Sequence, residues 1–246
     1  MHETTIDAGL EIEIPVAAVR IRGVLYAHTA ERAPALVLLP DVHGISALYR
    51  ELAARLATSG FHTLLLDIYS REGAPQLSDT PAVQKWIEEL PDARVLGDVE
   101  AAIRYLEERP EVLAGAIGIV GFCLGGQYAV MSACRPTGLA ACVAFYGMLR
   151  HGRRTERKLP PPLETADELR CPLLGLFGAD DPLIPAADVS ELRSRLTRSG
   201  KSFELHVFQG AGHAFMNDRR PAAYRAQAAA EAFDLATDFL RRSLSR

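Results

Sequence analysis

The stretch GIVGFCLGGQYAV, from Gly118 to Val130, decides how this chain of 246 residues is read. An apolar, β-branched run ends in Gly121-Phe122-Cys123-Leu124-Gly125-Gly126, and the residues that follow have helical spacing. A thiol among glycines at a strand-to-helix junction has a physical rationale. The apex of so tight a turn has an unfavourable backbone conformation, so the side chains around it must be minimal. The turn lifts the apex side chain above the sheet edge and sets the next amide, that of Leu124, beside it. The N-terminus of the following helix adds positive potential, which favours the thiolate, the reactive form of cysteine.

Outward from this junction, short apolar runs alternate with amphipathic stretches. Ala35 to Asp41, Phe61 to Tyr69, Ala116 to Phe122, Leu139 to Gly147, Pro172 to Gly178 and Ser202 to Gly210 read as strands. Ala47 to Gly60, with Leu48, Leu52 and Leu56 on one face, reads as a helix that Gly60 stops. Val95 to Arg109, Leu124 to Cys134, Ala186 to Gly200 and Pro221 to Ser243 also read as helices, and Ser70 to Val83 as loop. The alternation predicts an α/β fold with a mostly parallel sheet covered by helices on both faces. The stretch from Thr4 to His28 lacks a helix and predicts a hairpin at an antiparallel edge. No boundary divides the chain, so residues 1–246 are expected to form a single domain.

Composition narrows the function. Hydrophobic residues make up 48% and charged residues 24%, and the net charge is −4. These values fit a globular protein with a small-molecule partner and point away from nucleic acid and anionic membranes. Acids at Glu3, Asp7, Glu11 and Glu13 argue against a secretory signal, no apolar run approaches the roughly 18 residues of a membrane span, and a cytoplasmic location is expected. Cys134, Cys142 and Cys171 read as small buried hydrophobes, and the cysteine spacing matches no metal pattern.

The pattern Gly-x-nucleophile-x-Gly is that of the nucleophile elbow of α/β-hydrolases, which needs an acid and then a histidine downstream. Asp180 and Asp181 follow an apolar strand in GLFGADDPLIP, and His213 follows the last strand in VFQGAGHAF. Type, order and strand-end position all match. Histidine can take a proton and return it near neutral pH, and an aspartate holds its tautomer.

Together these residues resemble the dienelactone hydrolase family. The marks are Gly121 to Gly126 with cysteine at the apex, Asp181-Pro182-Leu183-Ile184-Pro185, and Gly212-His213-Ala214-Phe215, and the likeness extends from about Ala35 to Leu240. The resemblance implies the α/β-hydrolase fold and hydrolysis of an ester or lactone through a thiol-ester, with no cofactor or metal. It implies a triad of Cys123, Asp181 and His213, choosing Asp181 over Asp180 by its distance from Pro185. It also implies an oxyanion hole from the Leu124 and Val42 amides, and an acid, here Asp41 in place of glutamate, that holds the resting thiol. Tyr69 and Arg71 are candidate substrate contacts, and His43 either lines the pocket or caps a turn. Where the family places a carboxylate-binding arginine after the histidine, this chain has Asn217, with Arg219 and Arg220 beyond, so anionic lactones, other lactones and neutral esters all stay open.

The competing reading is a binding or redox-reactive protein on the same fold; intact Asp181 and His213 argue against a relic site. Peptide hydrolysis has no signature of its own in the sequence. His2, His28, His62, His151 and His206 read as surface or strand-edge residues. The basic run from Arg150 to Lys158 reads as a solvated loop or as a mobile cap attracting anions.

Overall fold

The computed structural model describes residues 9–75 and 77–245. His2, Glu3 and the start of the expected hairpin stretch, Thr4 to Ala8, lie outside them. Eight strands form one sheet: β1 (Leu10–Val16), β2 (Val19–Tyr26), β3 (Ala33–Leu39), β4 (His62–Leu66), β5 (Val112–Phe122), β6 (Ala141–Phe145), β7 (Leu173–Gly178) and β8 (Phe203–Phe208). Their order is β1-β2-β4-β3-β5-β6-β7-β8. The β1–β2 and β2–β4 pairs are antiparallel, and every other pair is parallel. The expected edge hairpin is thus present, closed through Ala17 at φ 51°. Strands β4, β6 and β7 are buried at every residue, as a sheet covered on both faces requires.

Among the described residues there are seven α-helices: α1 (Ala47–Thr58), α2 (Thr80–Glu89), α3 (Asp92–Glu107), α4 (Leu124–Ala133), α5 (Pro162–Thr165), α6 (Ala186–Arg198) and α7 (Ala226–Leu244). On α1 the apolar stripe Leu48, Leu52 and Leu56 is buried together with Tyr49 and Ala53. On α3 it is Val95, Val99, Ala102, Ile103 and Leu106. Helix α4 is buried on all sides, which its small and apolar sequence permits. Cys134, Cys142 and Cys171 are buried and unpaired.

Parallel pairing brings the C-terminal ends of β3 to β8 to one edge. Strand order reverses between β3 and β5, so the segments that follow these two neighbours diverge and leave a crevice at their C-terminal ends. Asp41 to Gly44 leave β3 and Cys123 leaves β5 at that point.

Three expectations are corrected. The stretch taken as loop contains the start of α2: Asp79 Oδ1 accepts the Ala82 amide at 2.8 Å, and Pro81 lies in the first turn. The terminal helix begins at Ala226, because residues 221–225 turn back and the Arg225 amide bonds Phe215 O at 3.1 Å. His62 is buried, as is the side chain of His151, and the basic run is anchored by a fully buried ion pair between Lys158 and Asp92.

Candidate active site

Cys123 sits at φ 53°, ψ −114°, a conformation that L-residues rarely adopt. Such strain costs about 1–3 kcal/mol and persists only where the surroundings over-determine it. Here they do. The Cys123 amide bonds Phe145 O at 3.0 Å, and its carbonyl accepts the Gln127 amide at 3.0 Å. The glycines are required by close backbone approach. A Cβ on Gly121 would lie 2.1 Å from Gly125 O, one on Gly125 2.3 Å from Pro40 O, and one on Gly126 2.7 Å from Gly147 Cα. The elbow is therefore wedged between the exits of β3 and β6.

The acid and the histidine come from the next two strand ends. The Asp180 amide bonds Ala211 O, and the Ala179 amide bonds Phe208 O, both at 2.9 Å, which ties the two loops together. Asp181, fully buried, accepts the Leu183 amide on Oδ1 at 2.8 Å and faces His213 Nδ1 with Oδ2 at 2.8 Å. Asp180 makes no contact of this kind with the ring. His213 Nε2 is buried and without a hydrogen-bond partner. Burial works against a charged ring, but the Asp181 bond and the neighbouring Cys123 outweigh it and push His213 up to about 10. The fold thus favours an imidazolium beside the sulfur.

Two further strained residues flank the ring: Ala214 at φ 61° and Tyr146 at φ 38°. Tyr146 packs edge-on against His213 with centroids 5.2 Å apart, and its hydroxyl is buried and unpartnered. Sequence reasoning missed it. The only sign was its place at the end of a strand, immediately before Gly147.

In the loop after β3, Asp41 is buried and its Oδ1 accepts the His43 amide at 2.9 Å, so it is His43's backbone that caps the turn. The Tyr69 hydroxyl donates to Val42 O at 3.0 Å, and a Cβ on Gly44 (φ 75°) would lie 3.1 Å from the Tyr69 ring. Tyr69 thus buttresses this loop. Tyr49, also missed, lies beside it. Burial, then the charges of Tyr146, Asp41 and Cys123, push its hydroxyl well up, and burial pushes Tyr69 beyond the usual phenol range. Tyr49, Tyr69 and Tyr146 are all buried on this side of the site. Leu124 is the first residue of α4, so its amide has no intrahelical acceptor.

The cations at the rim are mostly engaged. Arg71, a candidate substrate contact, forks onto buried Asp98 at 3.2 and 2.5 Å, so its charge is already paired. Arg219 pairs with Glu51 and Asp218, and Arg220 Nη2 lies 3.4 Å from His43 Nε2, whose side chain is exposed. Among the described residues, no group of three or more His, Cys, Asp or Glu side chains is gathered for a metal, and no helix is long and apolar enough to cross a membrane.

Comparison with known proteins gives the same neighbourhood. Residues 21–244 match the profile of the dienelactone hydrolase family. A Bradyrhizobium protein named "Probable 2-oxo-3-(5-oxofuran-2-ylidene)propanoate lactonase" is 40% identical over 210 residues, covering 85% of this chain and 84% of that one. A Methylorubrum extorquens protein named "Putative carboxymethylenebutenolidase" is 30% identical over 240 residues, 94% of this chain and 80% of that one. A crystal structure titled as a "Putative Dienelactone Hydrolase" from Klebsiella pneumoniae superposes with a TM-score of 0.89 at 28% identity, covering 95% of this chain and 98% of that one. With a family profile spanning nearly all of the described fold, and a cysteine on the strained turn after β5, this chain belongs to the dienelactone hydrolase family.

Proposed function

We propose that the chain hydrolyses a carboxylic ester or lactone with Cys123 as nucleophile, His213 as general base and acid, and Asp181 as the group that orients the ring. The observation that carries this reading is the His213 imidazole: Nδ1 is held by Asp181 at 2.8 Å, Nε2 is buried and left without a partner, and the neighbouring Cys123 favours the charged ring. A ring held in this way can shuttle a proton between sulfur, leaving oxygen and water.

The thiolate sulfur adds to the carbonyl carbon, and the carbonyl electron pair moves to oxygen. The Leu124 and Val42 amides are the donors proposed for that oxyanion; one such donor is worth about 10²–10³ in rate. Collapse of the intermediate breaks the carbon–oxygen single bond, and the His213 proton goes to the departing alkoxide. A thiol-ester remains. His213 then takes a proton from water, the hydroxide adds to the thiol-ester, and the acid leaves as the sulfur is released. The strained elbow supports this course, since it holds the sulfur before substrate arrives. Asp41 is proposed to hold the resting thiol until substrate arrives, and Tyr69 to act by bracing the Val42 loop. The relatives' names specify unsaturated five-membered lactones bearing a carboxylate, and that class is the first to test here.

The test is Cys123→Ala. Turnover of p-nitrophenyl acetate and of carboxymethylenebutenolide should disappear while the circular-dichroism spectrum and melting curve persist. A folded variant with full activity would end the proposal.

A further inference from the structure

A buried polar network lies outside the triad. Asp92, the first residue of α3, is wholly buried. Its Oδ1 accepts Lys158 Nζ at 2.7 Å and the Tyr128 hydroxyl at 2.8 Å, and its Oδ2 accepts the Leu159 amide at 2.9 Å. The Lys158 side chain is 1% exposed and also donates to Leu90 O at 2.9 Å. Two neighbours extend this contact along the end of α2: Thr155 Oγ1 donates to Glu88 O at 3.0 Å, and Arg157 Nη1 to Glu89 O at 3.1 Å. Three successive carbonyls at the C-terminus of α2, which no intrahelical amide can reach, are thus satisfied by one loop. On the other side, His151 meets Gln127 Nε2 at 3.1 Å and Leu159 O at 2.8 Å, and the Gln127 amide bonds Cys123 O.

Helix α2 has no fully buried residue. It rests on the core through half-buried Val83, Trp86 and Ile87. Trp86 lies edge-on to Tyr69, with centroids 5.6 Å apart, and Tyr69 is the residue whose hydroxyl holds Val42 O. A continuous set of contacts therefore runs from the Lys158–Asp92 pair through α2 to the loop carrying the proposed oxyanion donor. Buried ion pairs contribute little net stability compared with an apolar pair of the same shape; what they supply is one geometry, because any other leaves a charge uncompensated.

We propose that Lys158 and Asp92 are positioning residues: their buried pair clamps the end of α2 to α4 and keeps Trp86 seated on Tyr69, which fixes the Val42 loop. The kinetic arm of this proposal rests on the hydrolase reading above; the spectroscopic arm does not. Trp86 is the only tryptophan in the chain, so its emission reports the seat directly.

The test compares wild type with Lys158→Met/Asp92→Asn, which removes both charges together, since Lys158→Met alone strands a buried carboxylate. The double variant should melt cooperatively, with Trp86 emission shifted to the red and more readily quenched by acrylamide. With p-nitrophenyl acetate as probe, kcat should fall roughly 10- to 10²-fold with little change in KM, because a misplaced oxyanion donor acts on the transition state. A folded double variant with wild-type emission overturns the clamp, whatever its activity. Shifted emission with unchanged kcat overturns its link to the reaction. If the double variant does not fold, Thr155→Val removes the bond to Glu88 O, together with the one Oγ1 accepts from the Arg157 amide, and keeps the buried charges. It should move the emission in the same direction by less, and no movement overturns the proposal.

Discussion

Gly125→Ala should separate the elbow from the β3 exit. A Cβ at residue 125 would lie 2.3 Å from Pro40 O, 2.4 Å from Leu39 O and 2.7 Å from Leu39 C. All three are backbone atoms, so no side chain can swing aside. Carbon–oxygen contacts in proteins settle at about 3.3–3.6 Å, so the first turn of α4 and the loop leading to Val42 must part by about 1 Å. A displacement of that size between reacting groups costs about 10²-fold, and an oxyanion donor lost altogether about 10²–10³. Overpacking of this kind costs about 1–3 kcal/mol, and for a domain of this size each kcal/mol lowers Tm by roughly 2–4 °C. Gly97→Ala is the control. It lies inside α3 with nothing within 4 Å of the new Cβ, so it should stabilise by about 1 kcal/mol through helix propensity and leave turnover unchanged. Thermal melts and kcat/KM on p-nitrophenyl acetate measure both. Wild-type kcat/KM and Tm in Gly125→Ala would refute the argument that close approach, rather than turn propensity, demands glycine there.

Asp181→Asn keeps the size of the side chain but offers an amide to His213 Nδ1 in place of the carboxylate now at 2.8 Å, so the wrong tautomer is favoured. The expected loss in kcat is about 10⁴, and a loss under tenfold would remove Asp181 from its proposed role. The fold raises His213 to about 10, so the folded chain keeps a proton that the unfolded chain releases above its ordinary pKa of about 6.5. That stabilisation is complete below about 6.5 and fades as pH climbs towards about 10. The urea midpoints of wild type and His213→Gln should therefore converge across this window, and parallel curves would contradict the shift. Asp79→Ala removes the N-cap of α2 at a cost of about 1 kcal/mol. Because no residue of α2 is fully buried, amide exchange should quicken in α2 with the global midpoint nearly unmoved.

What was legible in the sequence was whatever depends on local backbone demands or on strand periodicity. Gly121, Gly125 and Gly126 betray the elbow because only glycine tolerates the approach of Pro40 O and Gly147 Cα. The buried strands were readable because both of their faces are covered. Asp181 and His213 were readable as candidates from residue type, order and strand-end position, with the family resemblance choosing between Asp180 and Asp181, although nothing local says that their loops are joined by the Asp180–Ala211 backbone bond. Charges buried by partners distant in sequence were not legible. Lys158 stands in a basic run and its partner Asp92 lies 66 residues earlier, so each looks solvated on its own. Tyr49 and Tyr146 looked like ordinary core residues on a helix and a strand, and only the assembled sheet edge turns them towards Cys123. The engagement of Arg71 was hidden for the same reason: it stands in a loop and its acid, Asp98, lies 27 residues later on α3.

The account's central claim is that Cys123 carries the acyl group between two half-reactions. Rapid quenching in acid during turnover of p-nitrophenyl acetate, followed by peptide mass spectrometry, tests it directly. The account predicts one acetyl group on the peptide containing Cys123, cleaved by hydroxylamine and absent from Cys123→Ala. A catalytically competent enzyme whose Cys123 peptide stays unmodified at every quench time, with acetyl found on another residue, would contradict it.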